Sequence, residues 1–166
     1  MKLISYLFKK CMLPAYAAAA AVISLAFVLA AGGAAQMFLR MLPVVLLLLL
    51  TLRAADDFFD YEKDSAKKTQ HLKKSGLIAL ACVCAAAFAA LNVVFYGAKG
   101  LISLAAVGYI PLMEKLPPLK TAYMALLFLF YFWVEQTPPH WGRLAVIVGC
   151  FAASAAYHFI KRKVKK

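Results

Sequence analysis

Acidic residues are scarce in this chain: seven Asp and Glu stand against nineteen Lys and Arg in 166 residues. Charge of either sign is thin, at 16%, while 65% of the residues are hydrophobic and the mean hydropathy is +0.80. A soluble domain is usually about 45–50% apolar. A water-soluble globule is therefore excluded, and the chain reads as an integral membrane protein. Histidine is limited to His71, His140 and His158, with no two in a metal-ligand spacing. Cys11, Cys82, Cys84 and Cys150 form no Cys-x-x-Cys pair, and Cys82 and Cys84 project from opposite sides of a helix. They read as small buried hydrophobes and imply no disulfide framework. No Gly-rich phosphate loop, Ser/His/Asp set or Cys/His set is present.

The formal net charge of +12 raises the question of nucleic acid. A nucleic-acid binder carries a continuous basic face with aromatics interleaved. Here the cations sit in short clusters between apolar runs and at both ends, as orientation signals do. Nucleic acid is not an expected partner; membrane lipids are.

The whole chain, 1–166, is expected to be a single all-α transmembrane bundle. Six apolar segments can be drawn: Met12–Ala31, Gly33–Leu52, Gly76–Tyr96, Gly100–Met113, Thr121–Val134 and Leu144–Ile160. The first three reach the ~20 residues needed to span about 30 Å of hydrocarbon. The fourth and fifth are short, so one is tilted, broken or re-entrant, or the two pair as a buried hairpin and the count falls to four. Lys2, Lys9 and Lys10 precede an apolar run from Cys11 to Ala31, longer than a signal-peptide core, so the first span is expected to be retained. With six spans and a cytoplasmic N-terminus, sixteen of the nineteen basic residues fall inside, and only Arg40, Lys99 and Arg143 fall outside. The expectation is a multi-pass protein of a bacterial-type cytoplasmic (inner) membrane with both termini cytoplasmic. Tyr131, Trp133 and Trp141 read as an outer aromatic belt. Alanine runs at 17–21 and 85–90 allow close helix approach. Glu135, at the end of the fifth segment, reads as an interface residue that stays hydrated.

The acidic residues are concentrated where the second segment leaves the membrane. Five of the seven lie between Arg53 and Asp64: Asp56, Asp57, Asp60, Glu62 and Asp64. At 100° per residue, Asp57, Asp60 and Asp64 share an arc of about 60° that also contains Arg53. Carboxylates on one stripe repel unless a cation sits among them. Hard oxygen ligands of this kind suit Mg²⁺, which is typically held by one or two carboxylates plus substrate phosphates. Arg53 could take a phosphate oxygen, and Lys67, Lys68, His71, Lys73 and Lys74 add a basic wall downstream. The same residues are also compatible with a solvated, mixed-charge cytoplasmic loop over about 53–75.

The run Leu52-Arg53-Ala54-Ala55-Asp56-Asp57-Phe58-Phe59-Asp60-Tyr61-Glu62-Lys63-Asp64 resembles the first aspartate-rich motif of the UbiA superfamily of intramembrane prenyltransferases. That motif lies between the family's second and third helices, which is its place here. The resemblance implies that Asp57, Asp60 and Asp64 hold Mg²⁺ against an isoprenyl diphosphate, with Asp56 at the Asn/Asp position. Lys115 matches a lysine that faces the diphosphate near the end of the family's fourth helix; with such a ligand, Arg53 and Lys115 would stabilise the leaving group and Lys67 and Lys68 would contact the diphosphate. The implied reaction transfers a prenyl group to a lipophilic acceptor. The family's second aspartate-rich motif and its Arg-Pro element have no counterpart in these 166 residues, so the resemblance covers the first six helices of a longer pattern. A homodimer or partner chain would then supply the rest. A non-catalytic binding or accessory subunit on the same scaffold, and a small transporter, are the alternatives.

Overall fold

The computed structural model describes residues 2–33, 35–62, 72–115, 118–135 and 141–164. Among the described residues every regular element is a helix. A short helix, α1 (Lys2–Ser5), runs into a π-turn over Tyr6–Lys10. Then come α2 (Leu13–Ala31), α3 (Ala35–Phe59) and α4 (Lys74–Tyr96). A 3-10 segment (Gly97–Ser103) leads to α5 (Leu104–Gly108) and α6 (Ile110–Lys115). The chain closes with α7 (Pro118–Val134) and α8 (Trp141–Val164).

Three stretches are long and apolar enough to cross a membrane: Leu13–Ala31, Ala35–Phe59 and Lys74–Met113. Ala125–Val134 and Trp141–Ala152 are shorter apolar helices. The protein is all-α and membrane-associated. Large apolar side chains point outward, among them Leu29 and Val94, which are 72% and 75% exposed. In water such exposure would be costly; against acyl chains it is the expected outer face.

The fourth apolar segment is broken, one of the alternatives its shortness left open. After α4, Gly97 takes a left-handed φ of 60° and the chain doubles back along its own helix. Gly100 then lies so close to α4 that a Cβ there would collide with the Asn92 carbonyl. Only glycine permits that approach. The Ser103 hydroxyl donates to the Gly100 carbonyl at 2.6 Å and secures the reversal.

The core is built around Phe27 of α2. Its ring stacks on Phe128 and Phe132 of α7, with centroids 5.8 and 4.7 Å away, and meets Tyr131 edge-on. Met41, Val44, Val45 and Leu48 of α3 and Phe88 of α4 complete it. One polar pair is sealed inside. Tyr131 donates to Asn92 Oδ1 at 2.7 Å, and Asn92 Nδ2 donates to the Phe88 carbonyl at 2.8 Å. Where apolar burial does not drive association, such interhelical hydrogen bonds fix which helices meet.

α3 is the central element, flanked by α2 and α4, while α2 also touches α8 and α7 packs on α8. Of the two readings of the stretch from about residue 53, its beginning is helical: α3 continues to Phe59, and Asp60 still donates its N–H to the Asp56 carbonyl at 2.9 Å, while residues 63–71 lie outside the described ones. Asp56 and Asp57 therefore stand on the last turn of a membrane-length helix, with Asp60 just past its end.

Candidate functional site

At the end of α3, Arg53 lies one turn before the acidic pair. Its Nη2 is 3.0 Å from Asp57 Oδ1 and its Nη1 is 3.8 Å from Asp56 Oδ2. The i,i+4 spacing along one face produces this contact directly from the sequence. The Asp57 side chain is only 4% exposed, whereas that of Asp56 is 38% exposed. The two neighbouring aspartates thus have opposite environments.

The second partner of Asp57 comes from far away in sequence. Tyr6, in the π-turn after α1, donates its hydroxyl to Asp57 Oδ2 at 2.8 Å. Its ring is fully buried in a small apolar cluster with Cys11 and Leu77. Met12 allows this docking: its left-handed backbone (φ 50°, ψ 51°) breaks the path between the π-turn and α2. A non-glycine residue in that region is uncommon. Burial, reinforced by the Asp57 carboxylate, raises the pKa of the Tyr6 hydroxyl, which stays protonated and able to donate. Burial also pushes the Cys11 thiol up, against the opposing pull of Arg53. Leu3, Ile4 and Phe8 of the same segment are exposed, as in a segment lying in a membrane interface.

Lys74, at the start of α4, closes the other flank. Its ammonium lies 3.1 Å from Glu62 Oε1 and 5.5 and 5.8 Å from the ring centroids of Phe58 and Tyr61. The lysine expected in a basic wall here clamps the end of α3 to α4.

Arg53, Asp56 and Asp57 are therefore brought together by direct ion pairing. Asp60 follows at the helix end, partly exposed. Lys115 is the last residue of α6, a helix that packs against α3; its side chain lies outside the described residues. Asp64, Lys67 and Lys68 also lie outside them. No group of three His, Cys, Asp or Glu poised to hold a metal occurs among the described residues.

The donor set can still be tested for fit to Mg²⁺. Asp57 has one carboxylate oxygen facing Arg53 and the other facing Tyr6, so it is engaged as an ion-pair partner. Asp56 and Asp60 are four apart on one helix face and partly exposed; Mg²⁺ is typically held by one or two such carboxylates plus substrate phosphates. The Arg53 Nε beside them is buried without a hydrogen-bond partner.

Sequence reasoning missed Tyr6, and nothing near it in the chain signals its role. It also read Glu135 as hydrated, yet one carboxylate oxygen of Glu135 is buried and without a hydrogen-bond partner. Comparison with protein-family models, curated proteins and solved structures returned no match.

Proposed function

We propose that this protein is a UbiA-like intramembrane prenyltransferase of about six spans, taking an isoprenyl diphosphate at the acidic end of α3 and passing its prenyl group to a lipophilic acceptor. The observation that carries the reading is the placement of Asp56, Asp57 and Asp60 with Arg53 on the last turns of a membrane-length helix. That is where a ligand with an anionic head and a hydrocarbon tail changes medium. In this reading the site faces the cytoplasm of an inner membrane and both termini lie on that side.

Asp56 and Asp60 would hold Mg²⁺, with Asp64 as a further ligand, and bound Mg²⁺ would neutralise charge on the departing diphosphate. Asp57 acts differently from its neighbours: it orients Arg53. Arg53, so oriented, would add a positioned positive charge where negative charge develops on the diphosphate. Lys67, Lys68 and Lys115 would contribute further cations to the same anion. Tyr6 and its apolar neighbours cover the buried side of Asp57 and keep water from it.

One observation favours a second reading, a non-catalytic binding or accessory subunit on the same scaffold. Asp57 is already satisfied within the chain by Arg53 and Tyr6, an arrangement a purely structural role also explains. Purified protein incubated with farnesyl or geranylgeranyl diphosphate, Mg²⁺ and a lipid extract as acceptor source separates the two. Release of diphosphate that is lost in Asp60→Ala supports the enzyme. Mg²⁺-dependent binding without release supports the accessory subunit, and no binding of either diphosphate rejects both.

A further inference from the structure

A second polar site lies at the opposite end of α3. Arg40, near the helix start, is about 25 Å from Asp57 at 1.5 Å per residue. Here the start of α3 meets the ends of α4 and α7, and the three helix ends leave an open recess of about 490 Å³. Arg40, Tyr96, Lys99 and Glu135 line it, with Phe95 and Val134 as its apolar part.

The charges in this recess do not complete one another. Glu135 Oε1 is buried and accepts no hydrogen bond. The Tyr96 hydroxyl faces the Glu135 carboxylate and is 3.5 Å from Met41 Sδ. Among the described residues no ion pair joins Arg40 or Lys99 to a carboxylate. Lys99 is exposed, its ammonium 5.7 Å from the ring centroid of Trp133. Two cations and one carboxylate with a vacant acceptor oxygen thus share one recess. An aromatic side chain beside them is typical of headgroup depth.

The complement of this set is a molecule with one phosphate and one N–H cation. A guanidinium fork and a mobile ammonium suit a phosphate. A buried carboxylate oxygen carries a desolvation cost that only a donor relieves, and a primary ammonium supplies donors that a quaternary one lacks. We propose that the recess binds the headgroup of a phospholipid carrying a primary ammonium, of the phosphatidylethanolamine type. Arg40 and Lys99 take the phosphate, Glu135 takes the ammonium, and Phe95 and Val134 receive the first part of the acyl chains. This site is independent of the diphosphate reading at the other end of α3.

The test uses the full chain in detergent micelles, titrated with phosphatidylethanolamine, phosphatidylcholine and phosphatidylglycerol of identical acyl chains. Retained lipid is read by native mass spectrometry and protection by thermal unfolding. Phosphatidylethanolamine is expected to bind roughly tenfold more tightly than either competitor, and Glu135→Gln is expected to erase that advantage. Lys99→Gln, at an exposed position, is expected to weaken phosphatidylethanolamine severalfold with the fold unchanged. Equal retention of the three lipids, an advantage that persists in Glu135→Gln, or unchanged affinity in Lys99→Gln would each overturn the proposal. Soluble phosphoethanolamine is expected to give no protection at matched concentration; protection equal to the lipid's would sink the assignment to a membrane lipid.

Discussion

The two ends of α3 each carry a carboxylate beside an arginine, and they resolve that pairing in opposite ways. At one end Asp57 is buried and satisfied on both oxygens, by Arg53 and by Tyr6. At the other, Glu135 keeps a buried oxygen without a donor while Arg40 and Lys99 share its recess. At the first end the Asp57 carboxylate is balanced by the chain itself, while the neighbouring Arg53 Nε has no hydrogen-bond partner. The second leaves charge for something else to balance. A satisfied buried ion pair holds structure, because removing one partner strands the other. An unsatisfied group binds, because a ligand relieves its desolvation.

The sharpest way to break this comparison is to remove both carboxylates in parallel. Asp57→Ala strands a half-buried guanidinium and the Tyr6 hydroxyl, and should cost about 3 kcal/mol of stability. Glu135→Gln in lipid-free detergent should leave the thermal unfolding midpoint unchanged or slightly higher. Equal losses in the two variants would abolish the distinction drawn here.

A smaller effect isolates the tyrosine. Tyr6→Phe keeps the ring in its apolar cluster and removes one hydrogen bond to a carboxylate, for an expected loss of about 1.5 kcal/mol. Cys11 beside it should then react faster with N-ethylmaleimide, since its burial depends on the same docked segment. An unchanged labelling rate would mean that the segment stays closed without the bond.

Alkaline titration examines the same contact without mutation. The folded-state pKa of Tyr6 is raised above the unfolded value of about 10. Its contribution is therefore complete below about pH 10 and is lost as pH climbs toward the folded value. Wild type should lose stability above that point more steeply than Tyr6→Phe, as read from unfolding midpoints across the range.

The smallest expected change is at the outer flank. The Lys74 and Glu62 side chains are 49% and 81% exposed, so Lys74→Ala should cost less than about 0.5 kcal/mol and respond weakly to salt. A loss comparable to that of Asp57→Ala would show that the flank, and not the buried pair, holds the end of α3.

Much of this was legible in the chain because two periodicities are strong. Apolar runs of membrane length located α2 and α4 within two residues and the start of α3, whose end runs seven residues past the expected Leu52, and the 3.6-residue repeat placed Arg53 on the face of Asp57. The reversal at Gly97 was signalled only as a short segment, because a close approach between backbones leaves no hydrophobic pattern. Tyr6 was invisible because its partner is 51 residues away and a single tyrosine among the lysines and apolar residues before a span resembles any membrane-flanking residue. The Asn92–Tyr131 pair escaped for the same reason, being a contact between helices that no spacing within either one encodes. Glu135 was misread because hydration at a helix end depends on what the neighbouring helix ends leave open. That is a property of three elements together.

The Tyr6–Asp57 bond also bears on how the protein is made. It encloses the α2–α3 hairpin in a loop whose ends cannot meet until α3 has left the ribosome and entered the bilayer. The segment before α2 is therefore among the last parts of this hairpin to settle. Until then, Leu3, Ile4 and Phe8 can hold this segment at the lipid surface, a mooring that waits for its berth to be built.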